Sequence, residues 1–170
     1  MIAWHYTVGE ATKVILESGL LLTENETTPE YLFPSTKGGL WFSLNQTYEP
    51  TAAKMQKRAD TGELIMSPDV DAMGDMLSRG FQLWRFGVDD GRLLTWPEYL
   101  GQSGLRHKML FARGRRYVEE MLRSAKRRGA NPDDWRVSLA PLRLEEISEV
   151  QVWSGGQWTG VHISRTSEAA

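Results

Sequence analysis

The chain opens with a strand that leads directly into a helix, and this arrangement limits its possible folds more than any other feature of the sequence. Residues 2–6 form a short apolar and aromatic run, which is typical of a buried strand. Thr7 and Glu10 have the spacing of a capping box and Gly19 provides a left-handed stop, so a helix is predicted between them. Strand, cap and helix together occupy only nineteen residues, which favours a domain that contains both element types.

Strand and helix signals continue along the chain. A second strand is predicted at residues 39–43, followed by a helix at 48–58 with Thr47 as its N-cap. The remaining predictions are helices at 69–78 (N-cap Ser67) and 114–128, strands at 81–88, 135–139, 149–153 and 157–161, a long exposed loop at 23–39, and an irregular segment at 96–104. Helices before residue 130 and strands at both ends predict an α+β fold around a mixed or antiparallel sheet.

Length and composition fit one domain. The chain has 170 residues, of which 41% are hydrophobic, so we expect a single domain over residues 1–163 and a frayed tail at 164–170. A net charge of -2 removes whole-molecule attraction to nucleic acid or to an anionic membrane. No segment approaches the ~20 apolar residues of a spanning helix, and the start lacks the features of a signal peptide. These observations predict a soluble, cytoplasmic protein without a membrane partner.

The absence of cysteine excludes several kinds of chemistry. Disulfides, thiolate nucleophiles and cysteine-ligated zinc or iron–sulfur sites cannot form. The three histidines, His5, His107 and His162, lie far apart in the sequence, so no metal site is predicted. The two common glycine-rich phosphate loops are also missing, so a bound nucleotide requires another geometry.

Two segments carry side chains suited to ligand binding. Residues 4–7 place a histidine, a phenol and a hydroxyl just before a helix N-terminus, where free backbone N–H groups favour anions. Residues 40–43 place two aromatic rings beside a hydroxyl, shortly before Glu49, as a planar heterocyclic ligand requires. Each segment also fits a purely structural role, with His5 as a hydrogen-bonded strand residue and the aromatic pair in the core.

Considered together, these segments are similar to a known family. The matching residues are, in order, His5-Tyr6-Thr7, Ile15-Leu16-Glu17-Ser18-Gly19-Leu20 and Gly39-Leu40-Trp41-Phe42-Ser43. They resemble the N-terminal half of the ADP-ribosyltransferase fold over roughly residues 3–54, especially bacterial branches related to DNA-modifying toxins and to RNA 2'-phosphotransferases. Residues 133–137 with 150–152 are similar to the late strand pair of that family. The resemblance implies a split sheet flanked by helices, with NAD as the substrate and no metal.

The resemblance also implies roles for individual residues. His5 would hold the ribose hydroxyls of NAD, and backbone groups of Tyr6 or Thr7 would approach the nicotinamide carboxamide. The family's nicotinamide pocket is flanked by aromatic side chains, which here correspond to Trp41 and Phe42. Ser43 would orient the edge of that strand.

The family's catalytic carboxylate has no unique counterpart in this chain. Asp134 stands where a glutamate is expected, one methylene shorter, and Glu49 and Glu146 are the alternatives. The requirement itself follows from charge: positive charge grows on the ribose carbon as nicotinamide leaves, so a fixed carboxylate nearby lowers the barrier. Either Asp134 serves, or another acid takes the role, or the protein binds NAD without efficient turnover.

The resemblance therefore implies a protein that cleaves the nicotinamide–ribose bond of NAD and transfers ADP-ribose to a macromolecular acceptor, as a bacterial or phage toxin or effector does. The alternative is a non-catalytic module that binds a nucleotide, a nucleic acid or a protein on the same scaffold. A third possibility is RNA 2'-phosphotransfer, which needs several arginines converging on phosphate.

Basic residues are concentrated in one part of the chain. Residues 106–128 contain nine Arg or Lys against two Glu, a surplus of seven positive charges. This stretch fits either a solvated helix face or a site for a pyrophosphate or a polynucleotide. Arg85 is a separate candidate ligand-binding residue, because an arginine in an apolar strand needs a partner.

Overall fold

A computed structural model describes residues 1–27, 33, 35–52, 56–57, 64–65 and 71–163. The strands are β1 (Ile2–Val8), β2 (Leu20–Leu21), β3 (Leu40–Ser43), β4 (Gln56–Lys57), β5 (Leu64–Ile65), β6 (Leu83–Asp89), β7 (Leu94–Thr95), β8 (Trp135–Ser138), β9 (Leu142–Arg143), β10 (Glu149–Ser154) and β11 (Gln157–Gly160). The α-helices are α1 (Gly9–Ser18), α2 (Glu24–Thr27), α3 (Ala72–Ser78), α4 (Trp96–Gln102), α5 (Leu105–Lys108) and α6 (Ala112–Arg127).

Seven of the strands form one antiparallel sheet in the order β11-β10-β6-β1-β3-β8-β7. Two small antiparallel pairs, β2 with β9 and β4 with β5, lie outside it. The predicted α+β class with a mostly antiparallel sheet flanked by helices is confirmed. None of the helices in the described ranges is long and apolar enough to cross a membrane.

The sheet has a core on each face, because side chains alternate between its two sides. The rear cluster covers one face and contains Ala3, Leu21, Leu40, Phe42, Phe86, Val88, Ile147 and Val150. The other face carries two clusters. The α3 cluster contains Trp4, Tyr6, Val8, Tyr48, Ala72, Met76 and Leu83. The α6 cluster contains Trp96, Tyr99, Leu105, Val118, Ala125, Trp135 and Val137.

The sheet splits at its centre. β1 pairs with β6 over seven consecutive positions, from Ile2 to Val8, whereas it pairs with β3 at one position only, where Trp4 lies opposite Ser43. On either side of this point the two strands share no ladder pair. The backbone of β3 beyond the split is therefore held by other groups, and space opens between two strands that are neighbours in the sheet.

Several predicted elements have different boundaries or a different type. Thr7 is not a helix cap: it lies within β1, opposite Trp84, and α1 begins at Gly9 with Val8 as N-cap. Ladder pairing with β6 extends the strand past the capping signal. The predicted stop at Gly19 is confirmed, with φ at 71°.

The predicted helix at 48–58 is wrong. The described part of that segment contains a 3-10 turn at Pro50–Ala52 and strand β4. Conversely, α4 occupies most of the segment predicted to be irregular, and Thr95 and Glu98 form its capping box. The short helix α2 lies in the predicted loop, and Asp71 rather than Ser67 caps α3; residue 67 and the tail 164–170 lie outside the described residues.

Candidate functional site at the sheet split

A cavity of about 620 Å³, called the split cavity below, lies at the split between β1 and β3. Its walls come from all three core clusters and from α6, and they include most of the residues singled out in the sequence. Those are His5, Tyr6, Trp41, Phe42 and Glu49. The volume falls within the roughly 300–1,000 Å³ typical of small-molecule sites.

The His5 side chain bridges the two separated strands. Its Nδ1 lies 2.9 Å from the carbonyl oxygen of Trp41. A carbonyl only accepts, so Nδ1 carries the hydrogen and donates it. The imidazole thus binds a β3 carbonyl that has no ladder partner on β1. The centroids of the His5 and Phe42 rings lie 5.7 Å apart. This bond fixes the orientation of the imidazole at the cavity wall.

Trp41 belongs to a dense group of aromatic rings. Its ring packs edge-on against Tyr99, with centroids 4.9 Å apart, and nearly perpendicular to Trp135 at 5.8 Å. Trp96 lies 6.0 Å away on the same side. Trp41 is half-buried and lines the cavity, so it serves the core and offers an aromatic wall at the same time.

Glu49 is the most completely positioned acid in the cavity. Its side chain is 6% exposed, and its Oε2 accepts a hydrogen bond from Ser43 Oγ at 2.8 Å. Its Oε1 accepts from the backbone N–H and the hydroxyl of Thr51, at 3.1 and 2.6 Å. A carboxylate oxygen has two acceptor sites, so Oε2 keeps capacity for one more donor. The three bonds hold Glu49 in one position beside the split.

Two buried phenols, Tyr6 and Tyr48, lie near enough to Glu49 for its charge to affect them. Tyr6 donates its hydroxyl hydrogen to the Asn45 carbonyl at 2.5 Å and packs edge-on against Tyr48 at 5.1 Å. Burial raises the pKa of Tyr6 to about 12 and raises the pKa of Tyr48 further, and the negative charge of Glu49 acts in the same direction on both. Both phenols stay neutral at ordinary pH and can donate hydrogen bonds but cannot act as bases.

Five of the candidate residues do not line the cavity: Thr7, Ser43, Arg85, Asp134 and Glu146. Thr7 is buried in β1, and Ser43 reaches the site only through its bond to Glu49. Asp134 contributes its backbone carbonyl to Leu44 N, at 2.9 Å. Asp134 itself does not line the cavity, although the next residue, Trp135, does.

Arg85 has its own partners within the fold. Its Nε and Nη2 donate to Gln151 Oε1, at 2.9 and 2.6 Å, and its Nη1 donates to the Gln46 carbonyl at 2.6 Å. The guanidinium lies between the rings of Trp4 and Trp158, at 3.9 and 4.4 Å from their centroids. The partner expected for this arginine is therefore an amide and an aromatic pair.

The alternative acid Glu146 is also engaged elsewhere. It accepts the backbone N–H of Arg143 at 2.9 Å and pairs with Arg92 at 2.5 Å. The hydrogen bond from Arg143 and the guanidinium of Arg92 lower the pKa of Glu146. Glu146 does not line the cavity.

The cavity also contains residues that the sequence did not single out individually. Glu24 and Arg128 bring one negative and one positive charge to its wall, and Tyr117 lines the side formed by α6. Arg128 follows the last turn of α6; burial raises the pKa of Tyr48, and the positive charge of Arg128 acts against that rise. The start of β3, at Leu40, and the end of α6, at Arg127, lie 87 residues apart in sequence, so no local pattern connects them.

A second concavity, of about 970 Å³, lies between the end of α1 and strands β10 and β11. Its walls contain Glu17, Glu145, Glu149 and His162 but no Phe, Tyr or Trp, and none of the predicted site residues. Within the described ranges there is no group of three or more histidine and acidic side chains able to hold a metal ion. The split cavity is thus the better candidate site for an aromatic ligand.

No family model, no curated protein and no solved structure matches this chain. The geometry of the split cavity is therefore the ground on which a function can be proposed.

Proposed function

We propose that the split cavity binds NAD and that the protein cleaves the bond between nicotinamide and ribose, passing ADP-ribose to a macromolecular acceptor. The observation that carries the proposal is the meeting of His5, Trp41 and Glu49 at one cavity between β1 and β3. These residues bring a fixed imidazole, an aromatic wall and a fixed carboxylate to a single site. The resemblance of residues 3–54 to ADP-ribosyltransferases supports the same chemistry.

In this proposal the nicotinamide ring packs against Trp41, and the positive charge of Arg128 faces the pyrophosphate. The ring-to-ribose C–N bond breaks with its electron pair passing to the nicotinamide nitrogen, which becomes neutral. Positive charge then develops on the ribose carbon. An acceptor nucleophile bonds to this carbon and releases its proton, so that atoms and charge balance.

Glu49 is the preferred carboxylate because it alone among Glu49, Asp134 and Glu146 lines the cavity. Its free acceptor site on Oε2 suits a ribose hydroxyl, and its hydrogen bonds to Ser43 and Thr51 hold it in place before the reaction. A preorganised carboxylate stabilises developing positive charge without moving to meet it. Asp134, suggested by the sequence resemblance, stays a prediction.

The test is the release of nicotinamide from NAD, followed by chromatography, for the wild type, Glu49→Gln and Asp134→Asn. We expect Glu49→Gln to lower the rate by roughly 10²–10³, as removal of one preorganised stabilising group does. Asp134→Asn is the matched control and should retain the wild-type rate.

Three other results are informative. Loss of activity in Asp134→Asn but not in Glu49→Gln would assign the carboxylate to Asp134. Tight NAD binding by calorimetry without nicotinamide release would support the non-catalytic binding module. If the wild type neither binds NAD nor releases nicotinamide, the proposal is wrong.

A further inference from the structure

The outer surface of α5 and α6 is strongly basic at the start of α6, where positive charge does not stabilise the helix. Arg113, Arg115 and Arg116 lie in the first turns of α6, and all three are exposed. Cations at a helix N-terminus oppose the helix dipole, so these charges work against the helix that carries them. No acidic residue occurs in the first turn of α6 to compensate.

The two halves of α6 differ in how their charge is balanced. In the second half, Glu120 pairs with Arg123 at 2.5 Å and with Arg127 at 3.6 Å. In the first half, Arg115 and Arg116 form no ion pair with any described residue. The positive field is therefore concentrated at the start of α6.

Exposed apolar side chains lie beside these cations. Leu110 is 71% exposed and Phe111 is 61% exposed, in the turn between α5 and α6. The ring of the exposed His107 packs edge-on to Phe111, with centroids 6.0 Å apart. A large exposed phenyl ring next to unbalanced cations is an arrangement that binds ligands rather than one that stabilises the monomer.

A row of rings connects this surface to the cavity. The guanidinium of Arg113 lies 5.7 Å from the centroid of the Phe33 ring, and Phe33 lies 5.3 Å from Tyr117. Tyr117 is 37% exposed and lines the cavity. Arg113, Phe33 and Tyr117 thus form a row of contacts from the basic surface to the wall of the cavity.

We infer that the start of α6 and the preceding turn bind single-stranded nucleic acid. Unpaired bases stack on exposed rings such as Phe111, while the phosphates meet Arg113, Arg115 and Arg116. A duplex hides its base faces, so it would use the cations alone. The inference that the protein binds single-stranded nucleic acid does not depend on the proposed function, whereas a role for that nucleic acid as the acceptor of ADP-ribose rests on it.

The test is fluorescence anisotropy of a labelled twelve-residue oligothymidylate at low salt, with salt titration. Arg116→Glu should weaken binding at least tenfold and reduce the slope of log affinity against log salt by about 0.7, the contribution of one phosphate contact on a single strand. The matched control is Lys13→Glu on α1, an exposed cation far along the chain that undergoes the same charge change. Phe111→Ser should weaken binding without changing the slope, because stacking is not electrostatic.

The inference is overturned if the wild type does not bind the oligonucleotide at low salt, or if Lys13→Glu loses as much affinity as Arg116→Glu. It is also overturned if the protein binds vesicles containing phosphatidylserine but not the oligonucleotide, since the surface would then be a membrane contact. Nicotinamide release is a separate measurement on the same wild-type protein. Oligonucleotide binding without nicotinamide release would leave this inference standing and remove the proposed function.

Discussion

At the scale of single residues, the strand split explains how side chains from opposite sheet faces reach one cavity. Trp4 lies opposite Ser43, and Trp41 precedes Ser43 by two residues, so Trp41 lies on the same face of the sheet as Trp4. His5, next to Trp4 in β1, lies on the other face. In a continuous sheet His5 and Trp41 would be separated by the backbone. Because β1 and β3 part beyond one ladder pair, the imidazole reaches the Trp41 carbonyl and both side chains line the same space.

Because the phenol of Tyr6 is buried, we expect the free energy of unfolding to decrease at alkaline pH. Burial raises its pKa from 10.0 to about 12, so the folded state favours the neutral phenol. This contribution is complete below about pH 10 and is lost as pH rises towards 12, at up to about 1.4 kcal/mol per pH unit. We expect urea denaturation of the wild type to show this loss between about pH 10 and 11, and Tyr6→Phe to show a smaller one.

Tyr48, Tyr99 and Tyr117 also have pKa values raised by burial, so the variant should keep part of the alkaline decline. At neutral pH it should be less stable than the wild type, because the Asn45 carbonyl loses its donor. An identical pH dependence in both proteins would mean that Tyr6 ionises as easily in the folded state as in the unfolded chain.

The sequence predicted candidate residues better than it predicted their partners. His5, Trp41 and Glu49 carry recognisable chemistry and meet at the cavity. Arg85 could not be assigned from sequence, since Gln151 and the ring of Trp158 that accept it lie more than sixty residues away. Asp134 was a candidate only because it stands where the resemblance implies a glutamate, and the 3-10 turn before β8 places it outside the cavity wall.

At the scale of elements, strong periodic signals were predictable and competing ones were not. β3, α6 and the hairpin of β10 and β11 were expected close to their observed limits, the hairpin turning at Gly155 and Gly156 with positive φ. Thr95 and Glu98 would have indicated α4, yet Pro97 and the glycines around it obscure the helix. Thr47 has the chemistry of an N-cap for a helix over 48–58, although the described part of that segment makes only one 3-10 turn, at Pro50–Ala52.

The contact between α5 and α6 depends on a helix glycine. A Cβ at Gly114 would come within 2.1 Å of the Lys108 carbonyl oxygen, which is backbone and cannot turn aside. Alanine gains about 1 kcal/mol in helix propensity, but overpacking costs about 1–3 kcal/mol. Because a backbone atom lies in the way, we expect Gly114→Ala to lower the free energy of unfolding, by up to about 2 kcal/mol in urea denaturation.

Gly101 in α4 is the matched control, because a Cβ there meets nothing within 4 Å. Gly101→Ala should leave stability unchanged or raise it by up to about 1 kcal/mol. Equal stability of the two variants would mean that α5 moves away from the added methyl group without loss of free energy of unfolding. Since Leu105 of α5 lines the cavity, Gly114→Ala should also disturb the site if α5 shifts.

At the scale of the whole molecule, the split divides one face of the sheet while the other face stays continuous. The rear cluster takes residues from β1, β3, β6 and β10, so it holds both halves of the sheet together. The α3 and α6 clusters lie on either side of the cavity and share no member. The cavity therefore lies where the α3 cluster and the α6 cluster meet, and the rear cluster packs on the opposite face of the sheet.

This division predicts local unfolding of the part that carries the proposed nucleic-acid surface. Val118 is almost fully buried in the α6 cluster, and Val118→Ala should destabilise that cluster by about 2 kcal/mol. In hydrogen exchange measured by mass spectrometry, we expect faster exchange in α4, α5 and α6 and little change in β1 and β6.

Phe86 is the contrasting position, because it is completely buried in the rear cluster on β6. Phe86→Ala should cost about 3–5 kcal/mol and accelerate exchange in every element, since the rear core joins both halves of the sheet. If Val118→Ala accelerated β1 and β6 as much as α6, the sheet and the helical layer would unfold as one unit. The cavity wall and the basic surface would then have no independent freedom to open, and an acceptor strand would have to approach a rigid site.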